Sequence, residues 1–403
     1  MRKIPHLVLL AALTALLLCG CTASQAGTPA DAGAPAPAVS EPEPVPPPPP
    51  PPYTLDRSNI PEEVNVEVAV AASETPVAYA QVLDEAERQG DLGGQIDLTA
   101  YRLTVPQIKD VTARCQGRSL MWQLDVDGEP VTPDMAALDL SGHDLAGLGV
   151  DLYELFEVLP CLTWVDLCKT GFTNAEYAAL QDTFPDIRMI WEIVWHHWTF
   201  RTDVVAFSTM KTCAQTFFLY DEDAQYLRYC TDLVALDLGH NRVHDWSFLQ
   251  YMPNLKILIA VDNQVKDLSW IQYTPKLEYL EFFVGYVTDL SFLQYTPNLK
   301  DLNISYNRVS DATYLYNLPN LERLWMEHTR IPYSEYLKLK ETYPDAKIVR
   351  KGEGSIDQGW RTHERYYAMR DMFKNNYVHE LFMDQEEVEQ IVDPEVSVPD
   401  TVT

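Results

Sequence analysis

Residues 233–331 read LVALDLGHNRVHDWSFLQYMPN, LKILIAVDNQVKDLSWIQYTPK, LEYLEFFVGYVTDLSFLQYTPN, LKDLNISYNRVSDATYLYNLPN and LERLWMEHTRI. Each of these five segments begins with a leucine, and the leucines stand 22 residues apart without an insertion: Leu233, Leu255, Leu277, Leu299 and Leu321. A constant period of this length predicts a solenoid, in which each unit buries its apolar edge against its neighbours.

Within each unit, Leu at position four and an apolar residue at position six alternate as the inward side chains of a short strand do. Position nine holds Asn241, Asn263 and Asn307, whose amides suit a turn that leaves backbone groups unpaired, while Gly285 and Thr329 interrupt this column. An aspartate at position thirteen, before a short apolar segment, predicts a capped helical turn. These aspartates are Asp245, Asp267, Asp289 and Asp311.

The template resembles the 22-residue leucine-rich repeat of bacterial internalin-type proteins, L-x-x-L-x-L-x-x-N-x-V. The resemblance implies an α/β leucine-rich repeat solenoid. Short parallel strands would form its concave face, helical or 3-10 segments its convex face, and caps would close both ends. It covers roughly residues 97–349.

A second, longer repeat precedes the regular array. Residues 97–134 align with residues 166–203 after a shift of 69 positions, which superposes Trp122 on Trp191. A third copy spans 336–349, and each copy reads as strand, full helix and strand. We expect both tryptophans to be core anchors.

The N-terminus has the pattern of an export signal: Arg2 and Lys3 precede an apolar stretch too short to span a membrane comfortably. The motif Leu18-Cys19-Gly20-Cys21 resembles a bacterial lipobox. On that resemblance, residues 1–20 are a lipoprotein signal peptide, and Cys21 becomes the lipid-bearing first residue. The alternative is ordinary cleavage, which leaves Cys21 as a free thiol.

The rest of the chain divides by composition. Residues 21–56 are a Pro-rich disordered linker that serves either as a stalk or as a passive tether. Residues 57–96 form an N-terminal cap with a strand from Val64 to Val70 and a helix from Val77 to Gln89, and residues 97–349 form the solenoid. Residues 350–384 contain a helix that either caps the array or binds a partner, and 385–403 form an acidic disordered tail.

Composition and motifs argue against several functions. A net charge of −29 disfavours nucleic acid as a partner. No catalytic, phosphate-binding or dinucleotide motif is present, and Cys115, Cys161, Cys168, Cys213 and Cys230 contain no C-x-x-C pair. We therefore expect a non-enzymatic protein without a metal site or a cofactor.

The candidate ligand-binding residues occupy strand positions that the repeat resemblance assigns to the concave face. They form an apolar and aromatic patch that the solenoid core does not need. The set is Ile257, Ile259, Val261, Tyr279, Phe283, Tyr306, Arg323 and Trp325. The alternative is that a terminal segment folds over this face.

Two functions remain open. The first is an extracytoplasmic scaffold, lipid-anchored to the bacterial membrane at the cell surface, that binds a protein or peptide through its concave face. The second is a cell-wall carbohydrate binder or structural spacer, in which aromatic side chains stack on sugar rings.

Overall fold

A computed structural model describes residues 52–384, apart from residues 72, 116, 211–215, 353 and 355. The predicted signal peptide, the lipidation site Cys21, most of the Pro-rich linker and the acidic tail lie outside the described residues. At the near end of the linker, Leu55 is buried, so the packed chain begins a few residues before the predicted boundary at position 57.

The first sheet has five strands in the order β2-β1-β3-β4-β5, and only β3 and β4 pair in parallel. Its elements are β1 (Glu67–Val70), β2 (Ser73–Ala78), α1 (Tyr79–Asp91), β3 (Ile96–Arg102), α2 (Val105–Arg114), β4 (Leu120–Val126) and β5 (Glu129–Val131). The predicted strand from Val64 to Val70 appears as the shorter β1, and the predicted helix from Val77 to Gln89 appears as α1, which begins at Tyr79. The intervening strand β2 was not predicted.

The second sheet is parallel and has three strands in the order β6-β7-β8, followed by the hairpin β9–β10. Its elements are β6 (Ala137–Asp139), α3 (Leu145–Leu148), α4 (Leu152–Glu157), β7 (Trp164–Asp166), α5 (Asn174–Thr183), β8 (Arg188–Ile190), β9 (Glu192–Trp195) and β10 (Trp198–Arg201).

The third sheet is a ladder of seven parallel strands in chain order, β11 to β17. The strands are β11 (Ala206–Ser208), β12 (Ala235–Asp237), β13 (Ile257–Ile259), β14 (Tyr279–Glu281), β15 (Asp301–Asn303), β16 (Arg323–Trp325) and β17 (Lys347–Val349). The helices of this region are α6 (Asp221–Ala224), α7 (Tyr333–Thr342) and α8 (Glu364–Asn375). Five 3-10 helices follow α6 or lie between successive strands: Gln225–Tyr229, Ser247–Tyr251, Ser269–Tyr273, Ser291–Tyr295 and Thr313–Asn317.

The register follows the sequence template. Leu236, Leu258, Leu280 and Leu302 pair in register along the ladder, and all are fully buried. Short parallel strands on one side and 3-10 segments on the other make this an α/β leucine-rich repeat solenoid, which confirms the predicted fold class.

The asparagine column forms the expected internal bonds. The Asn307 amide nitrogen donates to the carbonyls of Phe282 (2.9 Å) and Ile304 (3.1 Å), and its oxygen accepts from the Val287 N–H (3.1 Å). Each asparagine therefore ties its own turn to the neighbouring one.

The position-thirteen aspartates differ in detail from the predicted helix caps. Asp245 accepts a hydrogen bond from the Ser247 N–H at 2.9 Å, but Trp246 lies between it and the 3-10 segment. The carboxylate thus closes a local turn just before the helical segment.

All three copies of the longer repeat have the predicted order of strand, helix and strand: β3-α2-β4, β7-α5-β8 and β16-α7-β17. Trp122 and Trp191 are both buried, as expected. The strand pairing near Asp97 differs from a continuous ladder, because the longer strand β3 also pairs antiparallel with β1. The domain boundaries in this region stay predictions.

Candidate functional site

The ladder sheet has an apolar cluster on each of its two sides. One is the solenoid core, and the other joins concave-face residues to side chains from the C-terminal part of the chain. We call residues 356–384 the C-terminal strap; it includes the 3-10 turns Trp360–Thr362 and Glu380–Phe382 and helix α8. The strap contributes Trp360, Met369, Met372 and Phe382 to the second cluster.

Seven of the eight predicted binding residues lie under or beside this strap. Their exposed fractions are 0 % for Ile257, 8 % for Ile259, 1 % for Val261, 0 % for Tyr279, 5 % for Phe283, 4 % for Arg323 and 0 % for Trp325. The sequence left open whether this face is exposed or covered by a terminal segment, and the structure has the covered form: the strap packs on the face and buries its own apolar side chains there. Binding of a partner by these residues stays a prediction.

Trp360 is the central anchor of the strap. Its indole is fully buried, with ring centroids 5.4 Å from Tyr279 and 4.9 Å from Trp325. The indole N–H donates to the Glu281 carboxylate, and the Trp360 carbonyl accepts from the Arg323 guanidinium at 3.0 Å. The sheet therefore holds this side chain by shape and by directed hydrogen bonds.

A buried ionic network holds the start of α8. Asp301, which is fully buried, accepts from the Arg323 Nε at 2.7 Å and from two Arg365 nitrogens at 2.7 and 2.8 Å. Burial tends to raise the pKa of Asp301, but the bonds from Arg323 and Arg365 outweigh it, so the pKa is lowered. Since Arg365 belongs to the strap, the concave face supplies the anion and the strap supplies one of the cations.

The far end of the strap is also fixed by polar contacts. Lys256, buried on the concave face, donates to the Phe382 carbonyl at 2.5 Å and to Asp384 at 2.8 Å. The Asn376 side-chain oxygen accepts from the backbone N–H groups of Val205 and Ala206 at the first edge of the ladder. The strap thus spans the sheet from β16 to β11.

One strap contact is acidic on both sides. Glu327, just after β16 and fully buried, lies against Asp357 at the start of the strap. Burial first, and then the charge of Asp357 and a hydrogen bond to it, raise the pKa of Glu327 to about 7. Protonation of Glu327 therefore favours this contact.

Tyr306 is the predicted residue that the strap does not bury. It is 37 % exposed and stacks on His328, with ring centroids 4.3 Å apart. The structure does not bring it into the covered cluster with Ile257 and Tyr279.

Sequence reasoning assigned a binding role to Arg323 but none to Glu281, Asp301 and Arg365, the other charged residues that organise the site. Glu281, Asp301 and Arg323 all lie at outward strand positions of an otherwise apolar face, and Arg365 lies in the helix of the strap. The three strand positions could have indicated a covered face, because these ionisable residues lie on adjacent strands of an apolar surface. Such groups are rarely buried unless they are paired.

Within the described ranges, no group of three or more His, Cys, Asp or Glu side chains has the geometry of a metal site. Cys115, Cys168 and Cys230 are buried free thiols, and Cys161 is an exposed one. Cys213 lies outside the described residues. The described part of the chain also contains no helix whose length and apolar character would allow it to cross a bilayer.

Comparisons with known proteins give distant likenesses only. No family model and no curated protein matches the chain. Among solved structures, internalin C2 of Listeria monocytogenes is similar at 19 % identity over 36 % of this chain and 73 % of that one, with a TM-score of 0.26.

A second Listeria monocytogenes internalin aligns at 14 % identity over 71 % of this chain and 88 % of that one, with a TM-score of 0.29. A leucine-rich repeat protein of Leptospira interrogans aligns at 15 % identity over 61 % of this chain and 63 % of that one, with a TM-score of 0.30. Superpositions this loose carry no argument about function, so the solenoid assignment stands on the strand register of the chain itself.

Proposed function

We propose that this protein is a non-catalytic scaffold whose concave face binds a peptide segment, anchored outside the cytoplasm by a lipid on Cys21. The observation that carries the proposal is the strap itself. The concave face recognises a non-repeat segment through an aromatic pocket for Trp360 and a buried carboxylate for Arg365.

The chemistry of these contacts is that of a peptide-binding surface. Buried aromatic and arginine anchors surrounded by apolar contacts carry most of the binding energy in protein interfaces. The strap occupies the face as a ligand tethered to the same chain. A tether through a short linker gives an effective ligand concentration on the order of millimolar, and a partner segment would have to compete with that. A partner would resemble the strap: an aromatic residue followed, about one helical turn later, by an arginine.

The test uses the strap as a defined probe. In the full-length chain, Trp360→Ala combined with Arg365→Glu weakens the resident strap. A labelled synthetic peptide of residues 356–384 should then bind this variant measurably, and the wild-type chain should bind it at least tenfold more weakly. The same peptide carrying Arg365→Ala is the matched control.

A folded double variant that binds neither peptide would contradict a peptide-binding face. It would leave the strap as a permanent cap. Retention of the native circular dichroism spectrum shows that the variant is folded.

The alternative function, a wall-glycan binder or spacer, is favoured by another feature. Tyr251, Tyr273 and Tyr295 each end a 3-10 segment and are 44–45 % exposed, so the row offers aromatic rings to solvent. Binding to purified wall glycan that is lost in the triple alanine variant, with peptide binding intact, would support this alternative over the first.

A further inference from the structure

A cavity of about 520 Å³ lies beside the strap contacts described above, between α8 and the carboxyl ends of strands β11 to β14. Its walls come from both sides: Phe283 and Val261 belong to the solenoid, and Tyr366 and Phe373 belong to the strap. Pockets for small molecules in proteins have this size and combine apolar walls with a few polar groups.

The solenoid side of the cavity carries two carboxyl groups. Asp237 accepts from the Ser208 hydroxyl at 2.6 Å and from the Gly239 N–H at 2.9 Å. Glu281, which is 1 % exposed, accepts from the Tyr279 hydroxyl and the Trp360 indole through Oε1, while its buried Oε2 has no hydrogen-bond partner. In the part of the chain that the structure describes, neither carboxyl forms an ion pair within 4.0 Å.

The strap side carries two guanidinium groups. Arg370 donates to the Tyr366 hydroxyl at 3.4 Å, and the buried Nε of Arg361 has no acceptor. Among the described residues, neither arginine has a carboxylate within 4.0 Å. The cavity therefore has carboxyl groups on one wall and guanidinium groups on the opposite wall, and these groups do not form ion pairs with each other.

The pKa shifts of the two carboxyl groups are consistent with the absence of an ion pair across the cavity. Burial raises the pKa of Asp237 and of Glu281, and the charge of Arg361 opposes the rise without cancelling it. His240 at the cavity edge pairs with Asp262, which lies outside the cavity, at 3.1 Å. A group that brings positive charge to the carboxyls and negative charge to the arginines would satisfy both sets.

We propose that this cavity binds a small zwitterion, namely a free α-amino acid with an apolar side chain. Its ammonium group would donate to the unpartnered Oε2 of Glu281 and toward Asp237, and its carboxylate would accept from Arg361 and Arg370. The apolar side chain would pack against Phe283, Met369 and Phe373. A simple cation would face the arginines, and a simple anion would face the carboxyls, so neither matches both walls.

The cavity shares Ile259, Val261 and Phe283 with the peptide-binding face, but the amino-acid proposal does not rest on peptide binding. Because α8 forms one wall, however, a bound ligand would hold the strap closed. An amino acid would thus compete indirectly with a peptide that displaces the strap.

The experiment is isothermal titration calorimetry of the purified full-length chain with phenylalanine and leucine. Two matched compounds each lack one charge: phenethylamine has no carboxylate, and 3-phenylpropionate has no ammonium group. We expect saturable binding of an amino acid that is at least tenfold tighter than binding of either analogue.

Variants assign the two walls. Glu281→Gln and Arg361→Gln should each weaken amino-acid binding at least tenfold, whereas Arg350→Gln, outside the cavity, should leave it unchanged. Glu281 also accepts a hydrogen bond from Trp360, so Glu281→Gln could weaken binding by loosening the strap. Arg361→Gln tests the cavity without removing that contact.

Three results would overturn the assignment. The first is the absence of binding for any apolar amino acid at millimolar concentration. The second is equal affinity for the amino acid and a singly charged analogue. The third is unchanged affinity in Arg361→Gln.

Discussion

Glu327 shows how one side chain can link strap closure to pH. Its pKa is raised to about 7, first by burial and then by Asp357, whereas the unfolded chain has the ordinary glutamate value of 4.5. Between these two values the folded state holds a proton that the unfolded state has lost. Stability from this group is therefore fully present below about pH 4.5 and is lost as the pH rises through 7.

We expect Glu327→Gln to remove that pH dependence. The amide mimics the protonated carboxyl, so the variant should match the wild type near pH 5 and exceed it near pH 8 by at most about 3 kcal/mol. Urea unfolding at several pH values measures the difference, with the exposed Glu341→Gln as control. An unchanged slope between pH 5 and 8 would assign the dependence to other groups.

Gly285 is the residue at which the repeat template misleads. A Cβ built there would lie 2.7 Å from the Asn307 Oδ1, and that oxygen is held in place because it accepts from the Val287 N–H. A side chain at position nine of this unit therefore collides with the asparagine of the next unit.

We predict that Gly285→Ala destabilises the protein by about 1–3 kcal/mol, as overpacking does. Restoring the repeat consensus with Gly285→Asn should also destabilise it. The control is Gly94→Ala, since a Cβ at that position meets no atom within 4 Å. Thermal or urea unfolding measures both; a stabilised Gly285→Asn protein would show that the neighbouring turn can shift.

At the scale of elements, the strap is attached through a buried ion pair that both partners need. Removing Arg365 leaves Asp301 buried with Arg323 as its remaining cation. Losing one member of a buried pair costs about 3–5 kcal/mol, because the remaining charge stays desolvated.

We therefore predict that Arg365→Ala speeds amide hydrogen exchange throughout α8 and leaves the amides of β13 to β15 protected. Lys374→Ala on the same helix should change neither, since that side chain is exposed. Hydrogen exchange followed by mass spectrometry separates strap opening from global unfolding. Equal loss of protection in the strands would mean that strap and solenoid unfold as one unit.

At the scale of the whole molecule, the proposed anchor determines where the binding face operates. A lipid chain contributes about 0.8 kcal/mol per buried methylene, so two or more chains hold a protein firmly at a membrane. The Pro-rich stretch after Cys21 would then separate the solenoid from that surface.

We expect Cys21→Ala to move the protein from the membrane fraction to the soluble fraction when it is expressed in a bacterial host. Cys19→Ala is the matched control and should leave the distribution unchanged. Immunoblotting of fractions measures both. Membrane association that persists in Cys21→Ala would remove the lipid anchor from the proposal.

Much of the array could be predicted from the sequence. The leucines at positions one and four, the inward residue at position six and the asparagine column all meet their neighbours one unit away. Such contacts repeat at a fixed separation along the chain, so a single period describes them all. The three strand-helix-strand copies were predictable because the same residue types recur in the same order, although the copies are unequally spaced along the chain.

The state of the concave face could not be predicted in this way. Arg365 meets Asp301 across 64 residues, and Trp360 meets Glu281 across 79. Neither separation occurs again in the described part of the chain, so no repeating pattern in the sequence predicts these two contacts. The sequence by itself determined the solenoid, because its stacking is local and periodic. Only the tertiary structure decided that the concave face is covered, because that depends on where the non-repeating strap buries its apolar side chains.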